Sequence, residues 1–280
     1  MKKFAILLMI LLPICIQIKA QWLPQNSGTN NQLQMIQFVN EQVGWAKGSY
    51  SGVYEIYKTT NGGSDWFLLY THIDPLGLIS FQNENVGFFT SFNTLGDYIY
   101  KTVDGGENWT LIYSGIIQQI NDIEFLNSEK GWCVGWVEFG YLFKQTVDGG
   151  LTWTDKAVSP NYWGELFSIE VVNDLNFIIT GSDTLFKSSD GGSNWQKIPI
   201  TIGHLYDLQF FDLNLGWVKG YNINGGILYK TSNGGITWSQ QAQPMRAFQF
   251  IDYQTGWYIN NNLIYNTTTG GNIWSLQNSN

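Results

Sequence analysis

The sequence is poor in charge, in arginine and in cysteine. Charged residues make up 13% of its 280 residues, and Arg246 is the one arginine. These shortages exclude a coiled coil and a polybasic nucleic-acid binder, because both need abundant charge. Of the two cysteines, Cys15 lies in the apolar N-terminal segment. Cys133 therefore lacks a partner for an internal disulfide, and we interpret it as a small buried hydrophobic residue.

Glycine and aromatic residues are abundant instead. The chain has 31 glycines and 13 tryptophans, and 16% of its residues are aromatic. So high an aromatic content excludes a disordered chain, and the lack of helical periodicity excludes an α/β fold. Together these features favour many short strands joined by tight turns.

The first twenty residues have the pattern of a secretory signal peptide. Lys2 and Lys3 precede an apolar stretch at residues 4–18, and Ala20 is a small residue at a plausible cleavage point. Lipidation at Cys15 is disfavoured because Ile14, just before it, is not small. We expect a bacterial protein carrying a Sec signal, secreted or periplasmic after cleavage. No later stretch approaches the ~18 apolar residues of a membrane span, so none is predicted in the mature chain.

Cleavage makes an acidic chain more acidic. Removing the three leader lysines changes the formal net charge from −8 to −11. Nucleic acid is therefore not an expected partner, since the phosphate backbone is bound by cationic surfaces.

The strongest signal is a motif that occurs six times. Each copy has Ser or Thr, two residues later Asp, Asn or Thr, then Gly-Gly, and finally Trp; we call it the clasp, and the copies are residues 59–66, 102–109, 146–153, 188–195, 231–238 and 267–274. The tryptophans step by 43, 44, 42, 43 and 36 residues. The third-position side chain can accept hydrogen bonds from the turn amides, and the glycines supply positive φ angles. We therefore interpret the clasp as a structural hairpin turn.

The remainder of each repeat supplies the other strands of one unit. An apolar segment, a Gly-aromatic strand, a strand entering the clasp and a segment after its Trp make four strands per ~43 residues, which is typical of a β-propeller blade. The predicted fold is all-β: residues 21–280 form a single propeller of six four-stranded blades. Seven blades are the alternative, because Trp22 lies in phase with the clasp tryptophans. We expect residues near Trp22 to contact the last blade.

The clasp resembles the Asp-box, or BNR, repeat of sialidases, sortilin-type receptors and xyloglucanases. The longer unit is most similar to the photosynthesis system II assembly and stability factor family, over residues ~33–280. This resemblance implies a propeller but no particular activity. Sialidases hold their substrate carboxylate with three arginines, so Arg246 alone argues against that activity. The photosystem-assembly relatives present an arginine-rich surface that this chain lacks.

Ligand binding is expected on the face opposite the clasps. The loops predicted there are rich in Tyr, Trp and Asn, which suit a protein or glycan ligand. Packing between blades is the alternative role for each of these side chains. The candidate binding residues are Tyr50, Tyr54, Trp136, Tyr162, Trp163, His204, Tyr206 and Tyr221.

No catalytic or metal constellation stands out. Glu124 and Glu170 lie on predicted innermost strands, where two carboxylates can act in glycoside hydrolysis. Gln, Ser or Glu fills that register in every blade, so a hydrated channel lining is the simpler interpretation. His72 and His204 fall in different blades without a third ligand nearby. We predict no metal or cofactor and a monomeric, non-catalytic protein- or glycan-binding assembly module. A carbohydrate-active enzyme is the alternative.

Overall fold

A computed structural model describes residues 28–29, 31–116, 118–159, 162–182, 184–200, 202–222, 225–260 and 263–277. The predicted signal peptide and Trp22 lie outside these residues. Within them, every regular element is a β-strand. The all-β prediction is confirmed.

Twenty-four strands form six four-stranded sheets. The first three blades are β1 (Gln32–Phe38), β2 (Gly44–Tyr50), β3 (Val53–Thr59) and β4 (Phe67–His72); β5 (Leu76–Phe81), β6 (Gly87–Asn93), β7 (Gly96–Thr102) and β8 (Thr110–Ile116); β9 (Gln118–Phe125), β10 (Gly131–Val137), β11 (Gly140–Thr146) and β12 (Thr154–Asp155).

The last three blades follow the same order. They are β13 (Leu166–Val171), β14 (Phe177–Gly181), β15 (Thr184–Ser188) and β16 (Gln196–Pro199); β17 (Leu205–Phe210), β18 (Gly216–Asn222), β19 (Gly225–Thr231) and β20 (Ser239–Met245); β21 (Ala247–Phe250), β22 (Gly256–Asn260), β23 (Leu263–Thr267) and β24 (Ser275–Gln277).

Each blade is an antiparallel meander in which sequence neighbours are sheet neighbours. The first strands of blades 1 to 5 contact one another in succession, so these strands surround the centre. This arrangement confirms the predicted six-bladed propeller. The last blade has its own fourth strand, β24.

The clasp joins two turns of its own blade. In blade 1 the Asn61 Oδ1 accepts the Asp65 N–H at 2.9 Å, and the Thr59 Oγ1 accepts the Gly63 N–H at 2.9 Å. Gly62 and Gly63 have φ angles of 70° and 88°, which only glycine adopts without strain. The first clasp glycine of every blade also donates its N–H to the turn between the first two strands. The clasps and these turns therefore share one face, the clasp face, and the second-to-third-strand hairpins form the opposite, loop face.

Apolar side chains pack between successive blades. Five buried clusters join blades 1–2, 2–3, 3–4, 4–5 and 5–6. At the first of these boundaries the Trp45 ring stacks on Phe81, with ring centroids 3.6 Å apart. Cys133 is fully buried in the cluster between blades 2 and 3, and burial raises the pKa of its thiol to about 12. Its interpretation as a core residue is confirmed.

Candidate functional site at the channel mouth

The inner strands pair irregularly with the second strands near the loop face. Five of the six contain a β-bulge, an extra residue that interrupts the pairing with the second strand. The unpaired residues are Gln34, Gly77, Leu78, Asn121, Phe167 and Asp207. A bulge bends its strand and redirects the extra side chain. Asp207 accordingly has a φ of 46°, unusual for a residue with a Cβ.

These bulges surround a cavity of about 850 Å³, which we call the channel mouth. Residues from all six blades line it, among them Leu78, Asn121, Phe167, Asp207 and Phe248. The sequence does not predict this cavity, because a bulge changes the alternation of apolar and polar residues only slightly. Asn121 and Phe167 are therefore not among the candidate residues predicted from the sequence.

An aromatic cluster forms one side of the channel mouth. Phe167 lies at its centre, with ring centroids 4.9 Å from Tyr206 and 5.6 Å from His204. Tyr206 contacts Tyr221 in turn, at 5.7 Å. Three of the predicted binding residues thus lie together, and Phe167 joins them.

The channel mouth is also acidic. Asp122, Glu165, Glu170 and Asp207 all line it. Asp207 forms an ion pair with Lys219, whereas the Asp122 Oδ2 accepts the Ser168 Oγ–H at 2.7 Å and the Ile169 N–H at 3.0 Å. Burial raises the pKa of the Asp122 carboxyl, and these two hydrogen bonds oppose the rise.

The polar register of the inner strands connects neighbouring blades. The Gln37 side chain donates to the Phe81 carbonyl at 3.1 Å and accepts the Phe81 N–H at 2.8 Å. Gln209 makes the same pair of bonds with Phe250. Glu170, Gln209 and Gln249 of this register line the channel mouth, as the sequence predicts for a channel lining. Gln37 and Gln209 also bind backbone groups of the next blade, a role that the sequence did not predict.

Glutamate occupies this register in blades 3 and 4. The Glu124 Oε2 accepts the Val171 N–H at 2.6 Å, and the Glu170 Oε2 accepts the Phe210 N–H at 3.1 Å. Burial raises the pKa of Glu170 to about 8. Burial, together with the charges of Glu170 and Asp122, also holds the pKa of Glu124 well above its ordinary value. In its protonated form, each carboxyl resembles the glutamine amide of the neighbouring blades.

The other predicted residues have separate environments. Tyr54 packs against the core between blades 1 and 2. Tyr162 contacts Phe186 at 4.9 Å, and its hydroxyl accepts the Ser182 N–H at 2.7 Å. Tyr50 and Trp163 are 66% and 74% exposed. Tyr54 and Tyr162 therefore have packing contacts, whereas Tyr50 and Trp163 lie on the surface.

Trp136 lies on the loop face, outside the aromatic cluster. Its indole N–H donates to the Gln119 Oε1 at 3.0 Å, and 37% of the residue is exposed. Gln119 itself lines the channel mouth. Trp136 is thus hydrogen-bonded to a residue that lines that cavity.

Two other features are absent from the described ranges, a metal-binding cluster and a membrane-spanning helix. No group of three or more His, Cys, Asp or Glu side chains among the described residues is arranged to hold a metal ion. In the same part of the chain, no helix has the length and apolar character needed to cross a membrane.

Six clasps on six four-stranded blades make the protein a BNR-type β-propeller, and it resembles the photosystem II assembly factor. The family model described as Photosynthesis system II assembly factor YCF48 matches residues 103–203, from the clasp of blade 2 to the end of blade 4. Comparison with curated proteins finds no match.

Solved structures show the same fold. YCF48 bound to a D1 peptide is 16% identical, with a TM-score of 0.65, over 89% of this chain and 83% of that one. YCF48 from Cyanidioschyzon merolae is 15% identical, with a TM-score of 0.61, over 89% and 98%. The GH74 xyloglucanase from Xanthomonas campestris is 11% identical, with a TM-score of 0.62, over 88% of this chain and 45% of that one. At these identities the likeness establishes the fold alone.

Proposed function

We propose that the chain is a non-catalytic propeller that binds a partner polypeptide at the channel mouth. The observation that carries this proposal is a cavity of about 850 Å³ that combines an aromatic cluster with four carboxyl side chains. Aromatic rings provide rigid contact area for a polypeptide, and polar groups around them fix its orientation. The similar propeller YCF48, solved with a D1 peptide, gives this role further support.

The lining favours a partner segment that is both apolar and basic. Phe167, Tyr206 and Phe248 provide the apolar contacts. Asp122 and Glu165 provide negative charge, and the chain as a whole has a formal net charge of −8. Such a surface attracts positively charged segments and repels acidic ones.

Selection from a displayed random peptide library tests the proposal. We expect the selected peptides to be rich in Lys, Arg and apolar residues. Replacing Phe167 and Tyr206 together by alanine should abolish their binding, because both rings line the channel mouth. Tyr253→Ala is the matched control, since this tyrosine is 51% exposed in a turn on the clasp face. Equal peptide binding by the double variant and the control would refute the proposal.

A glycan ligand and glycoside hydrolysis are the competing functions. The raised pKa of Glu170, beside Asp122 in the channel, is the observation that favours hydrolysis, since such enzymes pair a protonated with an ionised carboxyl. The backbone hydrogen bonds of Glu124 and Glu170 weigh against it. A glycan array and a turnover assay separate these functions. Turnover lost in both Glu124→Gln and Glu170→Gln would establish hydrolysis and overturn the binding proposal.

We also propose that the protein acts outside the cytoplasm. The N-terminal pattern of Lys2, Lys3, the apolar residues 4–18 and Ala20 supports this location. N-terminal sequencing of the protein recovered from cell fractions tests it. A mature chain beginning at Gln21 in the periplasm or medium is expected, and an uncleaved chain in the cytoplasm would contradict the proposal.

A further inference from the structure

A second cavity opens on the loop face between blades 2 and 3. It has a volume of about 460 Å³, and we call it the Asp97 cleft. The hairpin joining β6 to β7 forms one wall, and the start of β9 together with Trp136 forms the other. Of its lining residues, Trp136 is one of the predicted binding residues.

The cleft exists where one blade departs from its neighbours. Asp97 pairs with Phe92 next to the tip of its hairpin, and tyrosines occupy the same register position in blades 1 and 3, as Tyr54 and Tyr141. Both tyrosines pack against the core between blades. An aspartate at this position leaves unfilled the volume that a tyrosine ring would occupy. It also places a carboxyl group beside that space.

The Asp97 carboxyl is buried, and no cationic side chain among the described residues pairs with it. The residue is 5% exposed and lines the cleft. Its Oδ2 accepts the Ile120 N–H at 2.5 Å. The described residues contain three salt bridges, and Asp97 takes part in none of them. Burial raises the pKa of this carboxyl, and only the Ile120 amide opposes the rise. A carboxylate in this environment gains more from a cation than an exposed one does.

The rest of the cleft suits the other parts of a long cationic side chain. Trp136 forms part of the wall, and the hydrogen bond from its indole N–H to Gln119 fixes the ring orientation. Phe92 and Leu95 line the cleft with 47% and 67% of their surface exposed. An aromatic face attracts an ammonium or guanidinium group, and apolar rims cover the methylene groups behind it.

The cleft adjoins the channel mouth. Leu78, Gln119 and Asn121 line both cavities. A ligand in the channel mouth can therefore extend a side chain into the cleft without leaving the surface. The adjacency of the two cavities favours a side chain of a polymer over an isolated small cation.

We propose that the Asp97 cleft binds a lysine or arginine side chain of the polypeptide held at the channel mouth, with Asp97 as its anionic partner and Trp136 as its aromatic wall. The proposal rests on the proposed function in one respect, namely that the cation belongs to a polypeptide. To the proposed function it adds a second contact point, the Asp97 cleft. It also assigns a positive charge to the partner residue that occupies this cleft.

Titration with three short peptides, followed by NMR, tests the proposal. The probes are the acetylated and amidated sequences Gly-Gly-Arg-Gly-Gly, Gly-Gly-Lys-Gly-Gly and Gly-Gly-Gln-Gly-Gly, with methylguanidinium as the small-cation arm. The basic peptides should shift the Trp136 indole resonance, which is identified by its loss in Trp136→Leu, and the Gln peptide should not. Asp97→Asn should weaken binding of the Arg peptide about tenfold or more, because the charge is lost while an oxygen remains for the Ile120 amide.

Asp252→Asn is the control for net charge. Asp252 accepts the Gln254 and Thr255 N–H groups in a clasp-face turn, and Asn40 fills the matching position in blade 1. This variant should bind the Arg peptide as the unchanged protein does. Should Asp97→Asn not fold, Trp136→Leu replaces it, with an expected loss of about threefold.

Three results would overturn the inference: unchanged affinity in Asp97→Asn, equal binding of the Gln peptide, or affinity for methylguanidinium equal to that for the Arg peptide. Its failure is separable from failure of the proposed function. Peptides selected from the library would still require Phe167 and Tyr206 if only the cleft assignment were wrong.

Discussion

The boundary between blades 1 and 2 differs from that between blades 6 and 1. Phe81, on the inner strand of blade 2, is 3% exposed because it stacks on Trp45 of blade 1. Phe38 holds the same register position in blade 1, yet 40% of it is exposed. Ile79 and Ile36 repeat the contrast at 4% and 60%. No core cluster of the described residues joins blade 6 to blade 1.

Hydrogen bonds between blades show the same difference. Lys230 of blade 5 donates to the Gly270 carbonyl in the clasp of blade 6, at 2.7 Å, and its Nζ lies 5.2 Å from the Trp217 ring. Lys58 and Lys101 make the equivalent bonds at earlier boundaries. The matching residue of blade 6 is Asn266, and its amide donates to carbonyls of its own blade. Residues at the same register position of different blades therefore make the same contacts only where the next blade provides the contacting group.

The largest expected effect comes from the paired phenylalanines. Phe81→Ala should lower the free energy of unfolding by about 3–5 kcal/mol, because it empties a buried site. Phe38→Ala should lower it by about 1 kcal/mol, because part of its surface already contacts water. Denaturant unfolding of both variants measures the difference. Equal losses would mean that the exposed face of blade 1 is covered in solution and that the two boundaries are alike.

Glu170 should make the boundary between blades 4 and 5 sensitive to pH. Its folded pKa of about 8 lies above the unfolded value near 4.3, so the folded state binds more protons between these values. Stability should therefore fall as pH rises through this window, by up to roughly 1.4 kcal/mol per pH unit. Glu170→Gln should reduce this dependence, because its amide can bind the Phe210 backbone as Gln209 binds that of Phe250. The part that comes from the raised pKa of Glu124 should remain. Unfolding at pH 5, 7 and 9 tests this expectation, and an unchanged slope in the variant would contradict it.

The lysine bridges should have a smaller effect. Lys230→Met keeps the apolar contact with Trp217 but removes the bond to the next clasp, so we expect a loss of about 1 kcal/mol. Asn266→Met changes the matching position of blade 6 and should cost less, since no bond to blade 1 is lost. Thermal unfolding of the two variants compares them. A larger loss for Asn266→Met would reverse the contrast between the boundaries.

The smallest effect is expected from the clasps in acid. Hydrogen bonds from Asn108 lower the pKa of Asp104 to about 2, and bonds from Thr152 lower that of Asp148 to about 2. A lowered folded pKa contributes stability above the unfolded value near 3.9, and this is lost as pH falls through about 2. Blades 1, 5 and 6 carry Asn61, Asn233 and Thr269 instead. Hydrogen exchange between pH 4 and 2 should therefore show loosening of the clasps in blades 2 to 4 only.

Much of the architecture follows from local sequence. The clasp can be predicted because its third-position side chain, glycines and tryptophan act within eight consecutive residues, and the structure has all six. Aromatic residues in the loops led to Tyr206, Tyr221 and His204 as candidates, and the structure places these three around Phe167 or one another. The same signal did not separate them from Tyr54 and Tyr162, which pack between blades, because local composition does not reveal what lies across a boundary.

The sequence by itself determined the strand order, the six repeats and the clasp geometry, since these depend on residues close together in the chain. Tertiary structure decided what those repeats contact. It gave Gln37 and Glu170 hydrogen bonds to the next blade and brought Phe167 and Asp207 to the channel mouth through bulges. It also left Asp97 in a cleft, at a position where blades 1 and 3 have tyrosine. These contacts join residues some forty positions apart, and their energies depend on burial and on partners that only the assembled ring provides.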